Sequence, residues 1–169
     1  RCRRHARLLC RDPNDSPSIY AHLINRRVKV RPDNMAVCVL MCRGNAKIQW
    51  FASGGYQPVA DSLFNLTEVD GFFLEYDDER SGGFEPLRFV PKGKKMIVLG
   101  LVTTKRGELE SKDELKRRID EAAQYIDLDQ LALSPQCGFS SNAIGNLVTV
   151  DDERAKFSLI REVAEEVWG

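Results

Sequence analysis

The chain is expected to fold as a parallel α/β protein of about four β/α units. Three observations predict this. Short apolar runs of strand length recur along the chain, most clearly at 36–41, 69–74, 96–102 and 131–134. Segments of helical periodicity lie between or after them. Clusters of Gly, Pro and Asp punctuate the junctions. A turn-rich stretch at 12–18 leads into a first helix carrying Ile19 and Leu23, which ends before Pro32. Ala36–Met41 reads as a strand. After Gly54 and Gly55, Pro58 opens a helix whose apolar face is Val59, Ala60, Leu63 and Phe64. Val69–Leu74 is a second strand, and 77–95 reads as loop with a short helical turn. Met96–Val102 is a third strand. Ser111 and Glu114 form a capping box before a helix faced by Leu115, Ile119, Ala122 and Ala123. Leu131–Ser134 is a fourth strand, stopped by Pro135. Thr149 or Asp151 caps a last helix faced by Leu159, Ile160, Val163, Ala164 and Val167.

Four such units make half of an eight-stranded (β/α)8 barrel, or a four-stranded flavodoxin-like sheet. No Gly-x-Gly-x-x-Gly or Walker loop follows any strand, so nucleotide binding has no support.

The 169 residues suit a single domain, and 25 basic residues balance 25 acidic ones. That balance argues against nucleic-acid binding. No run approaches the ~18 apolar residues of a membrane span. The balance is uneven along the chain: residues 1–31 carry +7 and the remainder −7. The first residue is Arg rather than Met, and the expectation is a piece of something longer. Residues 1–17 read as a basic tail, and 18–169 as the folded part. Five cysteines without regular spacing make a poor disulfide framework. A reducing, cytoplasmic setting is expected.

In parallel α/β proteins, reactive groups gather at the C-terminal ends of the strands. Here those ends deliver Cys42, Glu75, then Thr103, Thr104 and Lys105, and finally Cys137. Two thiols and a carboxylate on three strands can converge on one point, and such a set suits zinc. The same residues also read as core-filling thiols and a salt-bridge carboxylate.

Several long segments then match a known family, in order: CRGN (42–45), FASGGYQPVADSLFN (51–65), FFLEYDDERSGGFEPLRFVPKGK (72–94), LGLVTTKRGELESKDELKRRIDEAAQYI (99–126), LALSPQCGF (131–139) and AKFSLIREVAEEVWG (155–169). Together they resemble the cobalamin-independent methionine synthase superfamily, and most of all its short methionine synthase II-like branch. The resemblance runs over about 18–169. It implies a (β/α)8 TIM-barrel fold, of which this chain holds the C-terminal half. It implies zinc, with Cys42, Glu75 and Cys137 as ligands. It implies methyl transfer to a homocysteine-like thiol from a methylated folate-like donor. Around the ligands, Arg43 and Asn45 would shape the pocket floor, and Arg80 would orient Glu75. Trp50, Phe51 and Tyr56 are candidates for stacking a pterin ring.

The chain departs from the family in two ways. The family's ligand His falls on Leu40, which cannot hold a metal. Cys38 shares the face of Cys42 but lies ~13 Å along the strand, too far to share one ion. His5 and His22 lie in other segments. The earlier half of the barrel, which carries much of the substrate and donor sites in the family, has no counterpart here. A half-barrel exposes two sheet edges, so a homodimer or a partner supplying the missing strands is expected. The alternatives to methyl transfer are alkyl transfer to another thiol and a non-catalytic fragment that keeps only the fold.

Overall fold

Alternation of side chains across four paired strands organises the molecule. The computed structural model describes residues 16–46, 49–50, 52–140 and 145–169. The strands are β1 (Cys38–Met41), β4 (Gly71–Glu75), β5 (Met96–Val102) and β6 (Leu131–Pro135). They pair in parallel in the order β1-β4-β5-β6. A two-residue antiparallel ribbon, β2 (Asn45–Ala46) with β3 (Gln49–Trp50), follows β1.

The helices follow the sequence pattern. They are α1 (Ser16–Val28), α2 (Ala60–Leu66), α3 (Lys112–Ala123) and α4 (Val150–Trp168). The connection from β4 to β5 uses two 3₁₀ turns, Glu79–Ser81 and Glu85–Phe89. Thr149 caps α4: its side chain accepts from Asp152 N, and the Asp152 carboxylate accepts from Thr149 N. The expected box at Ser111 and Glu114 does not form. Ser111 is the N-cap without a side-chain bond, and the Glu114 carboxylate is held by Arg117 instead.

Strand order equals chain order, which separates the two folds left open by the sequence. A doubly wound sheet reverses its order at a switch point; this sheet does not. Rows across the sheet show where the helices lie. The row Val39, Phe72, Ile97 and Leu131 faces them, and its last three members are fully buried. The next row holds Leu40, Phe73, Val98 and Ala132, and there Leu40 is 55% and Phe73 38% exposed. One face is therefore covered, as in a barrel wall, and the other is the lumen side. Among the described residues, β1 and β6 are each paired on one side only. No helix among them is long and apolar enough to cross a membrane.

One buried cation locks the last helix in place. Lys156 of α4 is fully buried, and its Nζ donates to Glu108 O at 2.6 Å and to Glu110 Oε2 at 3.0 Å. Glu110 in turn accepts from Thr103 N, just past β5, at 2.8 Å. Removing one partner of a buried pair strands the other's charge. Lys156→Met is therefore expected to lower unfolding stability by about 3 kcal/mol. Urea denaturation tests this, and an unchanged midpoint would show that the pair does not anchor α4.

Candidate metal centre

The lumen-side row that contains Leu40 is followed, two residues on, by the row of Glu75, Gly100 and Ser134, and Cys42 comes just past the end of β1. Parallel pairing brings all these strand ends to one rim. The donor atoms of Cys42, Glu75 and Cys137 lie within 4.8 Å of one another. Gly100 sits between the flanking strands without a side chain. A Cβ there would meet Leu74 O at 2.8 Å, so only glycine lets the neighbouring strands approach so closely.

Glu75 is the most enclosed of the three, at 3% exposure. Its Oε1 pairs with the Arg80 guanidinium, whose side chain is fully buried. Its Oε2 accepts from Arg43 N at 2.8 Å. Lys105 Nζ stands 3.8 Å from Oε1. A carboxylate offers about four lone-pair sites, so two contacts leave capacity for a further partner.

Tyr56 ties β1 to β4. Its hydroxyl accepts from Glu75 N at 2.8 Å and lies 3.2 Å from Met41 O, the residue before Cys42. Arg43 lies over the Tyr56 ring at 4.5 Å and donates to Gly54 O and Glu75 O. Tyr56 thus serves as a strut between strand ends, and burial pushes its hydroxyl up to about 12.

Burial also pushes the Cys137 thiol up to about 11, and the adjacent Cys42 adds to the rise. Despite the nearby Lys105, this thiol keeps its proton at neutral pH. A metal ion would reverse that, because coordination deprotonates a thiol outright. Cys38, Cys42 and Cys137 are all free thiols.

Most of the expected site residues are brought together, and the details differ from simple expectation. Arg43 contributes its backbone N–H to Glu75, and its side chain is bound within the wall. Asn45 lies in β2 and Trp50 in β3, while Phe51 and His5 lie outside the described residues. His22 sits on the exposed side of α1. Leu40 lines the same small hollow as Cys42, Glu75 and Cys137. Cys38 is four positions back along β1, outside the donor cluster.

The charged stretch 77–80 reads as a solvated loop from its composition; Glu79 is exposed, but the Asp77 and Arg80 side chains are enclosed. The Asp77 side chain is 2% exposed, and it accepts from Lys105 Nζ at 2.9 Å and from Gln136 Nε2. Burial raises the Asp77 carboxyl above its ordinary value. The helix stripe 112–121 is likewise not wholly solvated. Lys112 pairs with Glu162 at 2.7 Å, Lys116 with Glu166 at 2.8 Å, and Arg118 donates to Tyr76 O at 2.7 Å.

Comparisons with known proteins agree with this architecture. Residues 56–165 match the family model described as cobalamin-independent synthase, catalytic domain. Two uncharacterized proteins of Bacillus subtilis (strain 168) are similar over nearly the whole chain. YxjH is 50% identical over 162 residues, covering 96% of this chain and 43% of its own length. YxjG is 49% identical over 156 residues, covering 92% and 41%. The chain therefore spans less than half the length of the curated relatives it matches. Among solved structures, a candidate vitamin-B12-independent methionine synthase from Listeria monocytogenes is 37% identical with a TM-score of 0.69; the match covers 95% of this chain and 43% of that one. A B12-independent methionine synthase from Shewanella sp. W3-18-1, solved with selenomethionine, shares the fold at TM-score 0.73 and 18% identity, over 92% and 45%.

Proposed function

The chain belongs to the cobalamin-independent synthase catalytic-domain family, and from that premise we propose that it is the thiol-activating half of a zinc-dependent methyl-transfer site. One observation carries this reading: two thiols and a carboxylate, far apart in sequence, converge within 4.8 Å. The donor set fits zinc. Cys42 and Cys137 offer soft sulfur and Glu75 a hard oxygen, and three protein ligands leave an open position. Bound zinc would draw charge from an incoming thiol, so that its thiolate exists at neutral pH.

The remaining work belongs to the chain's own groups. Arg80 and Arg43 N hold both Glu75 oxygens, so the carboxylate enters the site in a fixed orientation. Tyr56 holds the β1 and β4 ends in register. The acceptor we propose is a homocysteine-like thiol, and the donor a methylated folate-like compound. The exposed lumen side asks for a complementary set of strands, from a second copy or another chain segment, to exclude water and complete the donor site. Free thiols at the rim suit the reducing cytoplasm.

A second reading has a specific observation behind it. Leu40 stands where the family places a ligand His, and it is half exposed. That favours a chain that keeps the fold without turnover. Cobalt-loaded protein separates the readings. Adding homocysteine is expected to raise the sulfur-to-cobalt charge-transfer absorption, while its thiol-free analogue homoserine leaves the spectrum unchanged. A rise only with another alkyl-accepting thiol would move the substrate within the superfamily. No rise with any thiol would support the non-catalytic reading.

A further inference from the structure

We propose that Asp77 is a positioning residue that sets Cys137 against Glu75, acting through Gln136 and Lys105. The inference rests on the zinc reading above. Cys42 and Glu75 are already joined, by Arg43 N and by the Tyr56 hydroxyl. Cys137 lies two residues beyond β6, whose pairing with β5 shifts register between Gly100 and Val102, and the backbone bond from Gln136 N to Val102 O stops one residue short of it.

Asp77 supplies the missing link. It lies two residues beyond Glu75, and Gln136 immediately precedes Cys137. One Asp77 oxygen accepts from Gln136 Nε2, and the other accepts from Lys105 Nζ at 2.9 Å. Gln136 N in turn donates to Val102 O at 3.0 Å, so the side chain and the backbone clamp the same residue. Lys105, from the end of β5, reaches within 3.8 Å of Glu75 Oε1 and closes the circuit. One carboxylate thus connects the ends of β4, β5 and β6.

Stability alone is a poor reason for such an arrangement. The Asp77 and Lys105 side chains are only 2% and 10% exposed, and burying a charge pair costs roughly as much as it returns. What the arrangement supplies is direction: it aims the Cys137 turn at the point where Cys42 and Glu75 already meet.

A double-mutant cycle on the full chain tests this, with zinc affinity read by chelator competition and cobalt charge-transfer intensity read in parallel. Asp77→Ala and Gln136→Met are each expected to weaken zinc by about 10-fold. Each is also expected to weaken, without abolishing, the cobalt absorption of one thiolate. The double variant is expected to be no weaker than Asp77→Ala, since both act along one path. Asp77→Asn keeps an oxygen for Lys105, and the Gln136 amide can turn over so that its otherwise unpartnered Oε1 accepts from the new N–H, so this variant should stay within about threefold of the parent. Should Asp77→Ala fail to fold, Gln136→Met must still show the weakened single-thiolate intensity. Additive losses, or zinc affinity within about twofold of the parent in Gln136→Met, would overturn the inference. Cys137→Ser, run alongside, separates the two levels. If it leaves zinc binding unchanged, the metal-site reading fails and this inference with it. If it weakens zinc while Asp77 and Gln136 variants do not, the positioning inference fails alone.

Discussion

Replacing Cys137 with Ser is expected to cost the chain more zinc affinity than any change outside the donor cluster. Loss of an outer partner typically costs about 10–100-fold in metal affinity, and loss of a ligand should exceed that. The reason is the size of the set. Three donors meet here, and a chain reduced to Cys42 and Glu75 offers one sulfur and one oxygen, too few for a stable zinc site. The folded state should tolerate the change, because Cys137 lies on a half-exposed turn beyond β6 and is not part of the main apolar core. Chelator competition measures the affinity, and thermal denaturation of the metal-free protein checks the fold. Equal affinities with equal melting would mean that Cys137 is not a ligand.

Leu40→His is expected to act in the opposite direction. Leu40 is 55% exposed and lines the hollow beside Cys42, Glu75 and Cys137. It shares their face because side chains two apart on a strand point the same way. An imidazole there would supply a fourth ligand. Structural zinc sites of four ligands are worth about 10–16 kcal/mol, or roughly 3 kcal/mol per ligand, which corresponds to about 100-fold. Little is lost in exchange, since an exposed leucine contributes little burial. The same competition assay applies, with the metal-free melting temperature as control. An unchanged affinity would show that the three existing donors do not assemble around a metal.

Much of the architecture is legible in the sequence, because the continuous apolar runs at β4 and β5 are too short for ordinary helices and read as buried strands. The three donors are legible for the same reason. Once the strands are parallel, their C-terminal ends share one rim, and Cys42, Glu75 and Cys137 are the metal-ligating types found there. Strand order is not encoded in alternation, so barrel wall and doubly wound sheet stay open until the pairing is seen. Strand ends are also blurred. Val37 looks like strand, but its N–H is taken by the Asp70 side chain at 2.6 Å, and β1 begins at Cys38.

Polar residues with distant partners are the hardest to read. Asp77 sits in a run of charges that looks solvated, and its partners Lys105 and Gln136 lie 28 and 59 positions away. No local pattern reveals such a contact. Tyr56 reads as an aromatic near a strand end, and only its hydroxyl contacts with Met41 and Glu75 show it to be a strut. The capping signal at Ser111 fails for a related reason: Arg117, one turn on, competes for Glu114.

The central claim is that Cys42, Glu75 and Cys137 hold a zinc ion despite Leu40. Elemental analysis of the purified full chain, with Cys137→Ser prepared in parallel, tests it most directly. A full equivalent of zinc in the parent and its loss in the variant is the expected result. Less than about a tenth of an equivalent in the parent, under zinc-replete expression, would contradict the claim.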